Sequence, residues 1–129
     1  MALNRALTAV ATGARPRIQD GALVGSRCTA CGTRSWPSRA VCARCGSDEL
    51  AQEALPAVGE LLSYTSVWVA RGPFTPPYVL GQVDFGEGAV VFGHVRGLPD
   101  DAHVPLPVSV VIAPPGDEPL DFWFEPADP

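Results

Sequence analysis

The sequence predicts a mainly β protein: an N-terminal four-cysteine zinc ribbon followed by a five-stranded OB-fold barrel. Three observations predict it. Four cysteines stand as two Cys-x-x-Cys-Gly knuckles in the first half of the chain. Short apolar runs separated by proline- and glycine-rich turns fill the second half. No helix of ordinary length can be written after residue 50. At 129 residues the chain is one domain, or a small domain with an appendage, and 47% hydrophobic content is enough for a buried core.

Residues 1–26 read as a lead-in with a short helix carrying Leu3, Leu7 and Val10 on one face, broken by Gly13, Pro16 and Gly21. Asn4 and Arg5 interrupt its apolar run early and Thr8 and Thr12 thin it, which argues against a signal segment. No stretch approaches the roughly 20 apolar residues that span a bilayer. These readings place the protein in the cytoplasm, where four cysteines point to metal rather than to disulfides.

Residues 27–50 read as the ribbon. Its knuckles are Cys28-Thr29-Ala30-Cys31-Gly32 and Cys42-Ala43-Arg44-Cys45-Gly46. Two residues between thiols let both sulfurs reach one ion at about 2.3 Å. The glycine after each second cysteine permits the positive φ of a tight turn that brings backbone N–H groups toward the sulfurs. Ten residues between the knuckles suffice for a hairpin that brings them together. Four thiolates close a tetrahedron and leave no position for water or substrate, so the expected role of Cys28, Cys31, Cys42 and Cys45 is to hold structural zinc. A segment this short folds only with help, and zinc supplies roughly 10–16 kcal/mol in zinc-finger peptides. Two disulfides or a redox pair are the competing uses of these thiols, and iron is the competing metal.

Residues 51–129 read as the barrel. Five strands are expected, at Leu61–Ala70, Tyr78–Phe85, Ala89–Val95, Val108–Ala113 and Leu120–Phe124. Simple alternation puts Tyr64, Ser66, Trp68 and Ala70 on one face of the first, and Leu61, Ser63, Thr65, Val67 and Val69 on the other. The turn Gly86-Glu87-Gly88 makes a hairpin of the second and third strands. Five short strands in about 70 residues fit a small closed barrel better than a sandwich.

Charge divides the chain in the same place. There is no lysine; seven of the nine arginines and a single acid lie in residues 1–47, and two arginines with thirteen acids lie in 48–129. A basic front and an acidic back indicate two units with different surfaces. Catalytic sets are not evident. His94 and His103 are the two histidines, every cysteine is used in a knuckle, and neither a Gly-x-Ser-x-Gly turn nor a phosphate-binding glycine loop appears. Asp84 sits near a strand end, where a turn-forming role explains it. The chain alone therefore reads as non-catalytic.

The order ribbon then barrel, with Gly25-Ser26-Arg27-Cys28, Trp36-Pro37-Ser38-Arg39, Cys42-Ala43-Arg44-Cys45-Gly46, Leu62-Ser63-Tyr64-Thr65 and Pro76-Pro77-Tyr78, resembles the zinc-ribbon/OB-fold proteins associated with acyl-CoA metabolism. The resemblance spans residues 21–125. The chain departs from many of these relatives in its short, alanine-rich lead-in. The resemblance implies an accessory subunit that docks on a thiolase-superfamily enzyme, such as a thiolase or thiolase-like aldolase, in a hetero-oligomer. Its role would be to help bind or admit an acyl-CoA, with steroid side-chain or aromatic-acid degradation among the family's settings.

Under that reading Arg27, Arg34, Arg39 and Arg44 are the expected CoA contacts, because guanidinium forks suit phosphate. Balancing the thiolates is their competing role. Trp36, between the knuckles, is an expected interface anchor. Pro76, Pro77 and Tyr78 lie in a rigid loop bordering the barrel's binding face, and Phe122, Trp123 and Phe124 supply aromatics of which at least one should face outward. A nucleic-acid module is the rival reading, since zinc ribbons and OB-folds both bind nucleic acid. The acidic barrel argues against it, because a phosphate backbone would meet like charge. A pure scaffold between two acyl-CoA enzymes is the third.

Overall fold

The computed structural model describes residues 17–69, 72–114, 116 and 118–127. The expected lead-in helix lies outside the described residues. The chain divides into two compact units after Leu55. Among the described residues every regular element is a strand, and no helix is long and apolar enough to cross a membrane.

The first unit is built on one strand. Strands β1 (Ile18–Gln19), β2 (Ala22–Cys28), β3 (Arg34–Ser35) and β4 (Leu50–Ala54) form a four-stranded sheet in which β1, β3 and β4 each pair antiparallel with β2. The β1–β2 hairpin turns on Asp20-Gly21, whose φ angles of 53° and 77° are those of a two-residue hairpin loop that favours Asp-Gly. Leu23, Val24 and Leu55 make a small core, and buried Ser26 is satisfied by the Ser35 hydroxyl at 2.9 Å and the Arg39 N–H at 3.1 Å.

Two pairings cross the expected boundaries. The described part of the lead-in, from Ile18 on, belongs to the sheet, because the Asp-Gly turn folds β1 onto β2. Residues 51–54, expected in the barrel, pair along β2 from Ala51↔Arg27 to Ala54↔Val24 and so belong to the first unit.

The second unit is a closed five-stranded barrel. Strands β5 (Val58–Val67), β6 (Tyr78–Asp84), β7 (Val90–Val95), β8 (Leu106–Ile112) and β9 (Phe122–Pro126) run in the spatial order β5-β6-β7-β9-β8, and β8 closes on β5. This is the expected OB-fold barrel. Leu61, Val83, Phe85, Ala89, Val91, Val95, Val108 and Phe124 fill it. Each large apolar side chain among them contributes about 1.5–3 kcal/mol of burial.

Strand β5 corrects the simple alternation. Its register on β6 shifts between Leu61 and Ser63, so Leu61 faces Val83 and Tyr64 faces Gly81. Directly paired residues share a sheet face, and Val83 and Gly81 share theirs, so Leu61 and Tyr64 lie on the same side. The bulge leaves Leu62 40% exposed.

Candidate metal centre and barrel groove

The four cysteines converge. Cys28 ends β2, and the chain turns back through Gly32, whose N–H donates to the Cys28 carbonyl at 2.8 Å. The second knuckle repeats this turn, Gly46 N–H donating to the Cys42 carbonyl at 3.0 Å. Gly32 and Gly46 have φ of 83° and 80°, a region in which a side chain would be strained. All four sulfurs lie within 4.8 Å of one another; Cys28–Cys45 and Cys31–Cys42 are each 3.6 Å apart. A regular tetrahedron with metal–sulfur bonds of about 2.3 Å has edges of about 3.8 Å. The donor set therefore fits one tetrahedral thiolate-bound ion, with Cys28 and Cys42 buried and Cys31 and Cys45 exposed.

Electrostatics of the cluster say the same. Hydrogen bonds with the Thr33 hydroxyl and backbone bring the Cys31 thiol down to about 6. Backbone N–H groups of Cys45 and Arg44 lower Cys42. The Ser47 backbone also works to lower Cys45, but Cys28, burial and the other two thiols outweigh it and push Cys45 up to about 12. Four crowded sulfurs share negative charge badly, and a cation among them is what lets all four ionise.

The four arginines at positions 27, 34, 39 and 44 separate into two pairs. Glu53, on β4, accepts from Arg27 Nε at 2.9 Å through one carboxylate oxygen and from Arg34 Nε at 2.7 Å through the other. Arg27 Nη1 also donates to the Gly32 carbonyl at 3.1 Å, which ties this fork to the first knuckle. The Arg27 bond, then that of Arg34 and both charges, hold Glu53 below the usual carboxylate range. Arg27 and Arg34 are thus committed to the ribbon's own sheet, whereas Arg39 and Arg44 are exposed. Sequence reasoning missed Glu53; the pairing of β4 with β2 is what delivers it.

Trp36 is half-buried within the first unit. Its indole N–H donates to the Arg17 carbonyl at 3.0 Å, and the Arg17 guanidinium lies 4.8 Å from its ring centre. It is not the free aromatic of the expectation, because Arg17 already covers one face.

In the barrel the loop ahead of β6 behaves differently from β9. Phe74, Tyr78 and His94 form an aromatic cluster, with ring centres 4.6–5.6 Å apart and Tyr78 stacked on His94. They line an open groove of about 540 Å³ together with Pro77, Arg96 and Glu118. Pro76 precedes Pro77 in the same loop. Arg96 spans the groove's edge, bonded to Glu118 at 2.8 Å and lying 4.0 Å over the Trp123 ring. Burial, and then the Arg96 charge, lower His94, so its imidazole is neutral at pH 7.

Of the β9 aromatics expected at an interface, Phe122 is partly exposed, whereas Trp123 and Phe124 are buried in this chain. Phe124 is fully buried and touches Phe122 edge-on, and Trp123 is 8% exposed under Arg96 with its N–H on Glu125 at 2.8 Å. The outward aromatic exists, but this chain's own arginine covers it. Phe74 belongs to the loop expected to border the binding face, whereas Arg96 escaped the sequence reading because its partners Glu118 and Trp123 lie far along the chain. The strongly exposed aromatics are Trp68 and Phe92, at 72% and 59%. His103 is exposed in its loop, and Asp84 accepts the Gly86 N–H at 2.8 Å, the turn role expected of it.

Comparison with known proteins matches residues 17–51 to the rubredoxin-like zinc ribbon domain of ChsH2, and residues 52–113 to the C-terminal OB-fold domain of ChsH2. A DUF35 domain-containing scaffold protein of Methanocaldococcus jannaschii is 33% identical over 93 residues, 69% of this chain and 66% of that one. The benzoylsuccinyl-CoA thiolase subunits BbsA of Thauera aromatica and Geobacter metallireducens are 29% and 26% identical, over 69% and 71% of this chain. The chain spans 62–66% of the length of these three relatives. A solved structure described as Ltp2-ChsH2(DUF35) aldolase superimposes with a TM-score of 0.67 at 28% identity, covering 88% of this chain and all of that one.

Proposed function

The chain belongs to the ChsH2 (DUF35) family of zinc-ribbon/OB-fold proteins, and from that premise we propose that it is a non-catalytic accessory subunit of a thiolase-superfamily enzyme. In this reading it docks on a thiolase or thiolase-like aldolase in a hetero-oligomer and helps bind or admit the acyl-CoA substrate. The observation that carries the proposal is the continuous ribbon-then-barrel run over residues 17–113. It is matched by a chain of an aldolase described as Ltp2-ChsH2 and by subunits named for a thiolase. The geometry is consistent with it. The thiols are gathered at one closed site, and a closed four-thiolate site has no open position for substrate.

The metal in this reading is zinc, held by Cys28, Cys31, Cys42 and Cys45. Zinc supplies folding free energy to a unit whose apolar core is small. Arg39 and Arg44 are the CoA-phosphate contacts; Arg27 and Arg34 are not, because Glu53 holds them. The interface contribution of the barrel comes from the Pro76-Pro77-Tyr78 loop and the groove beside it. A nucleic-acid role is disfavoured by the same Glu53 fork, which takes two of the four cations out of any basic patch.

Affinity purification from the native cell, followed by reconstitution, tests the proposal. The expected result is a stable complex with a thiolase-superfamily enzyme and no acyl-CoA turnover by the purified chain. Within the complex, replacing Arg39 and Arg44 together raises KM for the CoA substrate, whereas Glu53→Gln does not. A chain that stays monomeric beside every thiolase-like enzyme of its host, with the enzyme working equally well without it, overturns the reading. The scaffold function named for the Methanocaldococcus relative is the alternative, and it predicts no effect of Arg39 or Arg44 on KM.

A further inference from the structure

The barrel is closed unevenly. Along β5, β6 and β8 the ladders run for many residues, but β7 meets β9 at a single parallel position, Val95↔Phe124. There the Arg96 N–H donates to the Phe124 carbonyl at 2.8 Å. Backbone groups alternate in direction along a strand. If the Arg96 N–H points to the β9 side, those of His94, Phe92 and Val90 point there too, while those of Val91, Gly93 and Val95 serve the ladder with β6. Beyond the one contact at Val95, no described strand lies against the Val90–Phe92 edge of β7.

That edge has none of the usual guards. Strand β7 reads Val90-Val91-Phe92-Gly93-His94-Val95, with no lysine, proline or carboxylate and no register shift against β6. An uncharged, β-prone edge invites another strand, and proteins normally blunt it. Here its outward side chains are also apolar and uncovered, Val90 at 45% and Phe92 at 59% exposure. Acids stand at its hairpin end: Asp84 is paired with Val90 across the hairpin, and Glu87 is in the turn. The second unit as a whole holds ten acids and two arginines.

We propose that the open edge of β7 is a strand-addition site, occupied by an extended segment of the partner enzyme that alternates apolar side chains with lysine or arginine. Main-chain hydrogen bonds to Val90 and Phe92 supply the attraction, and the apolar side chains cover Phe92. A second copy of this chain is the poorer occupant, because it would bring a second strongly acidic barrel against the first. The proposal rests on the accessory-subunit reading for the identity of the partner.

The test uses the full zinc-loaded chain and the purified thiolase-superfamily enzyme of the same host. Amide hydrogen exchange is read at single residues, free and in complex. The expected result is strong slowing at Val90 and Phe92 on complex formation. Phe92→Lys weakens the complex roughly 30-fold or more, as loss of an interface anchor does. Phe92→Pro removes the ring together with an N–H that points away from β6, and it weakens the complex as well. Thermal unfolding and zinc content of the variants report whether they fold, and exchange in the wild-type complex needs no variant. A complex in which both amides exchange at their free rates overturns this site and leaves the accessory role standing. Failure of the wild-type chain to bind any such enzyme overturns both. Self-association abolished by Phe92→Lys assigns the edge to a second copy and overturns the proposal.

Discussion

Glu53 is the residue whose loss should be felt furthest from where it sits. Its two carboxylate oxygens hold Arg27 on β2 and Arg34 on β3 at 2.9 and 2.7 Å, and Arg27 in turn holds the Gly32 carbonyl of the first knuckle. The side chains are 17–31% exposed, so solvent screens them and the value of a fully buried pair does not apply. Exposed ion pairs contribute about 0.2–1 kcal/mol each. Two such bonds on one carboxylate put the cost of Glu53→Gln at about 1 kcal/mol, roughly a fivefold change in an opening equilibrium. The assay is the rate at which the zinc-loaded chain transfers its metal to excess chelator, because the knuckle must open first. A severalfold faster transfer is expected, with barrel unfolding unchanged. Arg34→Ala should add little on the Glu53→Gln background, since both changes remove one bond. Because Glu53 lies below the usual carboxylate range when folded, its contribution is present above the unfolded value near 4.5 and is lost as pH falls through the folded one. Unchanged transfer rates at pH 7, or full additivity of the two substitutions, would refute the fork as a support of the metal site.

Three further outcomes are expected. Purified chain should contain one zinc and be colourless, and Cys42→Ser should lose zinc and unfold the first unit while the barrel's β circular dichroism persists; a visible iron–thiolate band would reassign the metal. His94 is held below its ordinary value by burial and by Arg96, so the folded barrel binds fewer protons than the unfolded chain. Its stability should be fully present above about pH 6.5 and fall as pH drops toward the folded value, a dependence that urea unfolding should no longer show between pH 7.5 and 5.5 in His94→Gln. Phe124→Ala should cost about 3–5 kcal/mol of barrel stability without releasing zinc, and a loss confined to partner binding would restore Phe124 to the interface.

The metal site was legible because it depends on local chemistry. Two thiols at a spacing of two and a glycine that accepts positive φ write the same turn twice, and the sequence needs no tertiary information to say so. The barrel strands were legible for a related reason: period-two patterning and the Gly86-Glu87-Gly88 turn are local. What the sequence concealed was pairing. Strand β4 looks like the start of the barrel until its register with β2 is known, and only that register brings Glu53 to Arg27 and Arg34. The Asp20-Gly21 hairpin is a local signal, but Gly21 by itself marks only a break in the lead-in; the partner strand is what makes it a hairpin. The bulge at Leu62 reverses the alternation of β5 with no glycine or proline to announce it. Aromatic residues were legible in number but not in fate: Trp123 faces outward as alternation requires, and an arginine 27 positions earlier in the chain lies over it.

Charge placement narrows what this chain can recognise. Taken as a row of cations, Arg27, Arg34, Arg39 and Arg44 resemble a phosphate-binding strip. Residues 27–55, however, contain three acids beside those four arginines, and a divalent ion in four thiolates carries a further −2. The ribbon is therefore close to neutral, and its basic appearance comes from reading the knuckles without their sulfurs. A near-neutral surface gives little of the counterion release that drives binding along a polyanion. It still presents two exposed guanidiniums, five residues apart and flanking the buried Cys42. Two forks on a scaffold stiffened by metal suit a compact ligand with a few phosphates better than an extended backbone. In the proposed role, a CoA would therefore set its phosphates against Arg39 and Arg44.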